Sequence, residues 1–183
     1  VLSGTMGEMH AKKICKVIDF AEKARIPIIG IWDGDGQRAH ESVSSLGPNG
    51  ELLDNLVSCS GKVPMVSVVL GTVSGTSALA AGLSDFVILG KQRGRMFMRS
   101  PYVIPEIVSG EVDEDMLGGA NHHASRSGVV CLVSDSERDA FDMVAEILAH
   151  MPDHTMSEPP LIGSGDKWDR ECKGMEELVP QDS

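Results

Sequence analysis

The sequence predicts an α/β fold in which a mostly parallel sheet is covered by helices. Two largely apolar runs, residues 26–32 and 63–70, have the length of strands that are buried on both faces. Amphipathic helices with a period of 3.6 residues are indicated at 7–24 and 135–150. Because strands alternate with helices along the chain, we expect the strands to pair in parallel.

The individual elements follow from local patterns. The first helix places Ile14 and Ile18 on one face and Lys12 and Lys16 on the other. Weaker patterns predict further helices at 51–60, 77–82, 101–108 and 111–117, and strands at 85–89, 95–98 and 128–133. A turn is expected at 47–50, a glycine-bounded loop at 71–75, a capping box formed by Ser134 and Glu137, and a linker after Pro152.

The composition excludes several classes of protein. The 183 residues include 16 lysines and arginines against 27 aspartates and glutamates, which gives a net charge of −11. A chain this acidic has no overall electrostatic attraction for nucleic acid or an anionic membrane. Only 4% of the residues are aromatic, which argues against a surface that stacks nucleobases.

No segment indicates export or insertion into a membrane. The longest apolar stretch, 64–70, is far shorter than the roughly 20 residues that span a bilayer, and residues 1–11 include charged Glu8 where a signal peptide is apolar. The four widely spaced cysteines form no CxxC pair, so they favour neither a zinc site nor a disulfide framework, and they indicate a reducing, cytoplasmic setting. We interpret the chain, which begins with Val1 and loses periodicity after Pro159, as a fragment of a longer protein; a whole protein without its initiator is the alternative.

Two glycine-containing segments lie where parallel strands are expected to meet helix N-termini. They are residues 32–38 (Trp-Asp-Gly-Asp-Gly-Gln-Arg) and 71–78 (Gly-Thr-Val-Ser-Gly-Thr-Ser-Ala). Such turns direct backbone N–H groups at an anion or a developing oxyanion, and ligands of α/β sheets bind at this edge. Two turns side by side would polarise a carbonyl without a catalytic side chain. The alternative is that these glycines serve turn geometry alone.

Other site types lack the required patterns. Neither glycine segment has the spacing of a Walker A loop or a Rossmann fingerprint. His122 and His123 are adjacent and point apart on regular structure, and no HExxH occurs, so we predict no metal site. Cys59 and Ser74 have no neighbouring His–acid pair in the sequence, so no nucleophile triad is predicted.

The motifs, taken in order, resemble the carboxyltransferase domain of biotin-dependent acyl-CoA carboxylases. The resemblance is to the propionyl-CoA and methylmalonyl-CoA β-type subunits and to the carboxyltransferase of sodium-pumping decarboxylases, and it covers essentially the whole chain. It rests on residues 7–14 (Gly-Glu-Met-His-Ala-Lys-Lys-Ile), 27–30 with Asp33, Gly36 and Arg38, then Gly71, Gly75, Met96-Phe97, Pro101, 110–112, 117–120 followed by His123, 127–129, Asp169-Arg170 and 178–180.

The resemblance implies a crotonase-like fold, which is a spiral of ββα units. It implies that residues 1–150 are an N-terminal carboxyltransferase half-domain without its opening strands, and that 151–183 are a linker toward an absent C-terminal half-domain. The implied activity is carboxyl transfer between carboxybiotin and the α-carbon of a short-chain acyl-CoA. The first half would hold CoA, and the second half of a neighbouring subunit would bring biotin on a separate carrier. Implied partners are a biotin carboxyl carrier protein, a biotin carboxylase subunit and further copies of the same chain.

The resemblance also assigns site residues. It places oxyanion-stabilising backbone groups at Asp35, Gly36, Gly75 and Thr76, and CoA contacts at Gly34, Arg38, Gly71 and Ser74. The family usually has Ser-Gly-Gly-Ala-Arg at 34–38 and Ala-Gly-Gly at 74–76, so Asp35 and Thr76 replace glycines. An Asp35 carboxylate that faced inward would repel an enolate by a few kcal/mol, and aspartate tolerates a positive φ less well than glycine.

The sequence therefore leaves three hypotheses of function open. The first is an acyl-CoA carboxyltransferase subunit in which Asp35 faces out, the substrate differs, or activity is reduced. The second is a crotonase-like binding or assembly subunit that has lost catalysis and keeps its glycine turns for folding. The third is the carboxyltransferase of a membrane-linked acyl-CoA decarboxylase whose pump lies on other chains.

Overall fold

The computed structural model describes residues 2–101, 113–161, 163, 165–172 and 174. The expected helix at 101–108 lies outside these residues except for Pro101. No helix that the described residues form has the length and apolar content that crossing a bilayer requires. The elements in chain order are α1 (Glu8–Ala24), β1 (Ile28–Asp35), α2 (Val43–Cys59), β2 (Met65–Ser74), α3 (Gly75–Gly82), β3 (Phe86–Gly90), β4 (Arg95–Phe97), α4 (Glu114–Gly118), α5 (Ala120–His122), β5 (Leu132–Ser134) and α6 (Glu137–His150).

The strands form one parallel sheet in the order β1-β2-β3-β5, which confirms the predicted α/β architecture. Strand β2 is ten residues long and has two neighbours on one side. Its first half pairs with β3, and its last three residues pair with β4. As a result, β2 extends beyond the end of β3 and reaches, together with β1, one edge of the sheet.

Helices cover both faces of the sheet. On one face, Ile18 of α1 and Leu52 of α2 are buried together with Met65 of β2. On the other, α6 packs Val144 against a cluster that includes Val66. Met65 and Val66 are successive strand residues, so their side chains point to opposite faces. The near-continuous apolar sequence of β2 is thus explained by burial on both sides.

Helix α2 includes a segment that the sequence predicts as a turn. The helix runs through Pro48, so the predicted turn at 47–50 and the predicted helix start at residue 51 are wrong. The proline removes one helical hydrogen bond. The buried side chain of Asn49 ties this part of the helix to the segment before α1, because its Nδ2 donates to the carbonyl oxygens of Met6 (3.3 Å) and Ser45 (2.8 Å). A tertiary contact of this kind overrides the local turn signal.

Strand β2 also continues through residues predicted to form a loop. Residues 71–74 complete the strand, and Thr72 and Val73, both β-branched, pair with β4. Gly71 is required because a Cβ there would collide with the carboxylate of Asp33 on β1. The strand therefore meets α3 directly, without an intervening loop.

Helix α6 is capped two residues later than predicted. Ser136 is the N-cap, and its Oγ accepts from the N–H of Asp139 (3.1 Å). Asp139 Oδ2 in turn accepts from the N–H of Asp135 (2.9 Å). Ser134 instead belongs to β5 and is fully buried, so the predicted Ser134–Glu137 capping box is wrong.

Candidate active site

The two predicted glycine segments lie side by side. Asp35 and Ser74 are the last residues of β1 and β2, and they are partners in the parallel ladder. A cavity of about 690 Å³ opens at this edge of the sheet and is lined by Asp35, Gly36, Ser74, Gly75 and Thr76, among others. The structure therefore brings together five of the eight residues that the resemblance assigns to the site.

The N-terminus of α3 faces this cavity. Gly75 and Thr76 are the first two residues of the helix, and the N-cap residue Ser74 makes no side-chain capping hydrogen bond. The N–H groups of a first helical turn have no acceptor within the helix and carry the positive end of its dipole. Gly75 has φ +54°, and nothing lies within 4 Å of the position a Cβ would take. The backbone is thus open to a ligand at the start of α3.

Gly36 brings the backbones of the two segments together. It is buried and has φ +31°, and a Cβ there would lie 2.6 Å from the carbonyl oxygen of Ser74. The N–H of Asp35 donates to Ser3 O and the N–H of Gly36 to Gly34 O, both at 3.2 Å. These two amides are therefore engaged within the chain, and the first turn of α3 supplies the amides of the cavity.

Asp35 lines the cavity, and its side chain is hydrogen-bonded to Ser74. Its Oδ1 accepts a hydrogen bond from Ser74 Oγ at 3.3 Å, and the residue is half-buried. Asp35 is not among the residues with positive φ, so its backbone is unstrained where the family usually has glycine.

Arg38 does not line the cavity. Its guanidinium donates from Nη1 to Glu41 Oε1 (2.8 Å), from Nη2 to the carbonyl oxygen of Thr5 (2.8 Å) and from Nε to Thr5 Oγ1 (3.3 Å). The other oxygen of Glu41 accepts from the N–H of Glu8 (2.6 Å), at the start of α1. Arg38 and Glu41 thus join the segment before α1 to the end of β1 and hold one wall of the site.

This link predicts a pH-dependent contribution to stability. The hydrogen bond from the Glu8 N–H, followed by that from Arg38, lowers the pKa of Glu41 below its ordinary value of 4.5. A lowered folded-state pKa stabilises the protein above about pH 4.5, and this stabilisation is lost as pH falls through the folded pKa. We expect Glu41→Gln to destabilise the protein at pH 7 and to differ progressively less from wild type as the pH falls below 4.5.

Urea unfolding at a series of pH values measures this difference. Glu146→Gln on the exposed face of α6 is the matched control for loss of one carboxylate. A loss of unfolding free energy in Glu41→Gln that stays constant from pH 7 to pH 3 would contradict the lowered pKa of Glu41.

Gly34 and Gly71 have packing roles in the structure. A Cβ on Gly34 would lie 2.5 Å from the carbonyl oxygen of Gly4. A Cβ on Gly71 would meet the Asp33 carboxylate, as described above. Neither glycine lines this cavity; Gly34 lines a separate cavity of about 410 Å³, and the assignment of both as CoA contacts stays a prediction.

The sequence reasoning missed several residues that line the cavity, among them His40, Met98 and Arg99. His40 follows the turn after β1, and Met98 and Arg99 directly follow β4. A strand-end argument could have found the latter two, because β4 is parallel to β2 and ends at the same edge. They were not predicted because β4 has only three residues and its pairing with the last residues of β2 is a tertiary feature.

His123 supports the wall that β4 forms. Its Nε2 is 2.9 Å from the carbonyl oxygen of Met96, and its Nδ1 is 2.7 Å from Ser127 Oγ. A Cβ on Gly118 would collide with the same Met96 carbonyl. The Leu-Gly-Gly-Ala-x-x-His segment therefore packs against β4 and positions the strand that precedes Met98.

The described residues contain neither a metal-binding cluster nor an activated buried thiol. Among them, no three His, Cys, Asp or Glu side chains are placed to hold a metal ion. Cys15 and Cys59 are free and buried. Burial raises the pKa of both thiols, which disfavours the reactive thiolate.

The chain has the crotonase-like α/β fold that the resemblance predicts, with a cavity where two of its parallel strands end. All of residues 1–183 match the family described as carboxyl transferase domain, and the chain belongs to this family. The confirmed resemblance thus extends over the whole sequence.

Individual relatives agree with this assignment. The chain is 37% identical over 180 residues to the propionyl-CoA carboxylase carboxyltransferase subunit of Haloferax mediterranei, covering 98% of this chain and 35% of that protein. It is 36% identical over 183 residues to the methylmalonyl-CoA decarboxylase subunit alpha of Veillonella parvula, covering 100% and 36%. Transcarboxylase 12S, solved with hydrolyzed methylmalonyl-coenzyme A bound, superimposes with a TM-score of 0.84 at 28% identity over 88% of this chain and 31% of that one. The chain thus spans about a third of the length of these relatives.

Proposed function

We propose that the protein carrying this chain transfers a carboxyl group between carboxybiotin and the α-carbon of a short-chain acyl-CoA of the propionyl-, acetyl- or methylmalonyl-CoA type. The observation that carries the proposal is the cavity in which the open N-terminus of α3 meets the end of β1. The relatives named above act on propionyl-CoA and methylmalonyl-CoA according to their names, which supports this substrate class.

An acyl thioester fits the residues present. The cavity volume of about 690 Å³ is within the usual range for small-molecule sites, and Gly75 leaves room beside the α3 amides. When the α-carbon gains carbanion character, negative charge develops on the thioester oxygen. The N–H groups of Gly75 and Thr76 would stabilise this charge, and fixed donors of this kind act most strongly where charge builds up.

Biotin enters as a substrate on a separate carrier protein and supplies the carboxyl group. We propose that residues 1–150 hold the acyl-CoA, and that 151–183 lead to a second half-domain whose counterpart in a neighbouring subunit receives biotin. A homo-oligomer, a biotin carboxyl carrier protein and a biotin carboxylase subunit are the proposed partners. Transcarboxylase 12S assembles as a hexamer, which supports the oligomer. The four free cysteines support a reducing location, the cytoplasm or the mitochondrial matrix.

The test is biotin-dependent decarboxylation by the full-length protein. Methylmalonyl-CoA and malonyl-CoA, labelled with ¹⁴C in the transferred carboxyl group, are supplied with free biotin as acceptor, and CoA binding is followed by calorimetry. We expect label to leave the thioester only when biotin is present. A folded protein that binds CoA and transfers no label would overturn the proposal in favour of a non-catalytic binding subunit.

A carboxyltransferase of a membrane-linked decarboxylase is the second candidate. The observation that favours it is the similarity to the Veillonella parvula decarboxylase subunit. The reaction at the cavity would be the same, so the two candidates are separated by the partners that purify with the full-length protein.

A further inference from the structure

We propose that the carboxylate of Asp35 is a catalytic base that removes the α-proton of the bound acyl-CoA. This inference rests on the proposed function and adds a side chain to a site otherwise built from backbone amides. The usual family residue at this position is glycine, so the role would be specific to chains that carry an acid here.

Asp35 lines the same cavity as the amide donors Gly75 and Thr76. Asp35 ends β1 in register with Ser74, and Ser74 immediately precedes the first turn of α3. Ser74 Oγ donates to Oδ1 at 3.3 Å, which orients the carboxylate. Among the described residues, Oδ2 has no hydrogen-bond partner and is available to a ligand in the cavity. Enolisation of a thioester requires a base and oxyanion donors within one site.

The charge balance favours a base over a merely repulsive group. A fixed aspartate charge beside an enolate would raise the energy of that enolate. If Asp35 itself accepts the proton, the carboxylate becomes neutral as the thioester oxygen becomes negative. The total charge of the cavity is then unchanged, and repulsion between two anions does not arise.

The proposed step is a simple proton transfer. The α-C–H bond breaks and an O–H bond forms on Asp35, while the electron pair of the C–H bond moves to give the enolate. Without a carboxyl donor the step reverses, and a proton from solvent returns to the α-carbon. In the complete transfer the α-carbon takes the carboxyl group from a nitrogen of the carboxyl donor. The proton then passes from Asp35 to that nitrogen.

The test is exchange of the α-protons of propionyl-CoA with D₂O, without biotin, followed by NMR on the full-length protein. We expect exchange with wild type and a decrease of at least about 100-fold in Asp35→Asn. Asp35→Gly, which introduces the usual family residue, is expected to lose exchange as well. Asp54→Asn on an exposed position of α2 changes the net charge equally and should leave exchange unchanged. Calorimetry with propionyl-CoA verifies that each variant still binds the thioester.

The outcomes separate this inference from the proposed function. Wild-type protein that transfers carboxyl groups but shows no biotin-independent exchange would overturn the role of Asp35 alone. Exchange that is unchanged in Asp35→Asn would do the same, and faster exchange would also identify the carboxylate as an obstruction. Protein that binds no CoA thioester and transfers no carboxyl group would overturn the proposed function itself.

Discussion

Replacing Thr76 by proline is expected to lower the rate of carboxyl transfer by about 100- to 1000-fold, the usual effect of losing one oxyanion donor. Thr76 is the second residue of α3, and proline is tolerated in a first helical turn because no internal hydrogen bond is lost there. Gly75, the preceding residue, has no Cβ to clash with the proline ring. The substitution therefore removes one N–H from the cavity while α3 still forms.

Thr76→Ala is the matched control, because it removes the side chain and keeps the N–H. We expect its transfer rate to stay within a few-fold of wild type. The measurement is decarboxylation of methylmalonyl-CoA with free biotin by the full-length protein, with circular dichroism to verify the fold. Equal losses in the two variants would assign the effect to the side chain and would contradict the backbone mechanism.

Replacing Gly36 by alanine is expected to destabilise the protein by about 2–4 kcal/mol. Gly36 has φ +31°, a conformation that is strained for residues with a Cβ, and the new methyl group would lie 2.6 Å from the carbonyl oxygen of Ser74. The Ser74 oxygen belongs to the backbone and the alanine Cβ is attached directly to it, so a rotamer change cannot relieve the contact. The ends of β1 and β2 would have to separate, which would also open the cavity.

Two glycine variants serve as controls for this stability measurement by urea unfolding. Gly75→Ala has a positive φ but no neighbour within 4 Å, so we expect only the backbone cost of about 1–2 kcal/mol. Gly50→Ala lies at an exposed position of α2 with open space around it and is expected to stabilise by about 0.5–1 kcal/mol. A Gly36→Ala effect no larger than that of Gly75→Ala would show that the close approach to Ser74 is not a constraint.

Periodicity was sufficient for the long elements. The apolar stripe of α1 and the pattern of α6 predicted both helices within two residues of their ends. The two apolar runs predicted strands β1 and β2. Only β2 is buried on both faces as expected; β1 is an outer strand of the sheet, and its Ile29 and Ile31 are exposed. These signals are strong because each element buries a complete face, so the sequence pattern directly reflects the packing.

Elements that depend on distant contacts were predicted poorly. Pro48 lies inside α2 because the Asn49 side chain is hydrogen-bonded to Met6, far away in the sequence. The last residues of β2 are a strand rather than a loop because β4 provides a ladder partner. A local window contains neither contact, so turn chemistry dominated the prediction at both places.

For the candidate site, the sequence by itself predicted which two segments would lie side by side. Glycine segments after two apolar runs were enough to predict neighbouring backbone turns at one edge of a parallel sheet, since parallel strands end together. Only the tertiary structure decided which groups at that edge face a ligand. It engages the amides of Asp35 and Gly36 and the guanidinium of Arg38 within the chain, and it leaves the first turn of α3 at the cavity that Asp35 also lines. The positions of the strands and of the glycine segments follow from a pattern along the chain, whereas the direction of an N–H group depends on hydrogen-bond partners from remote segments.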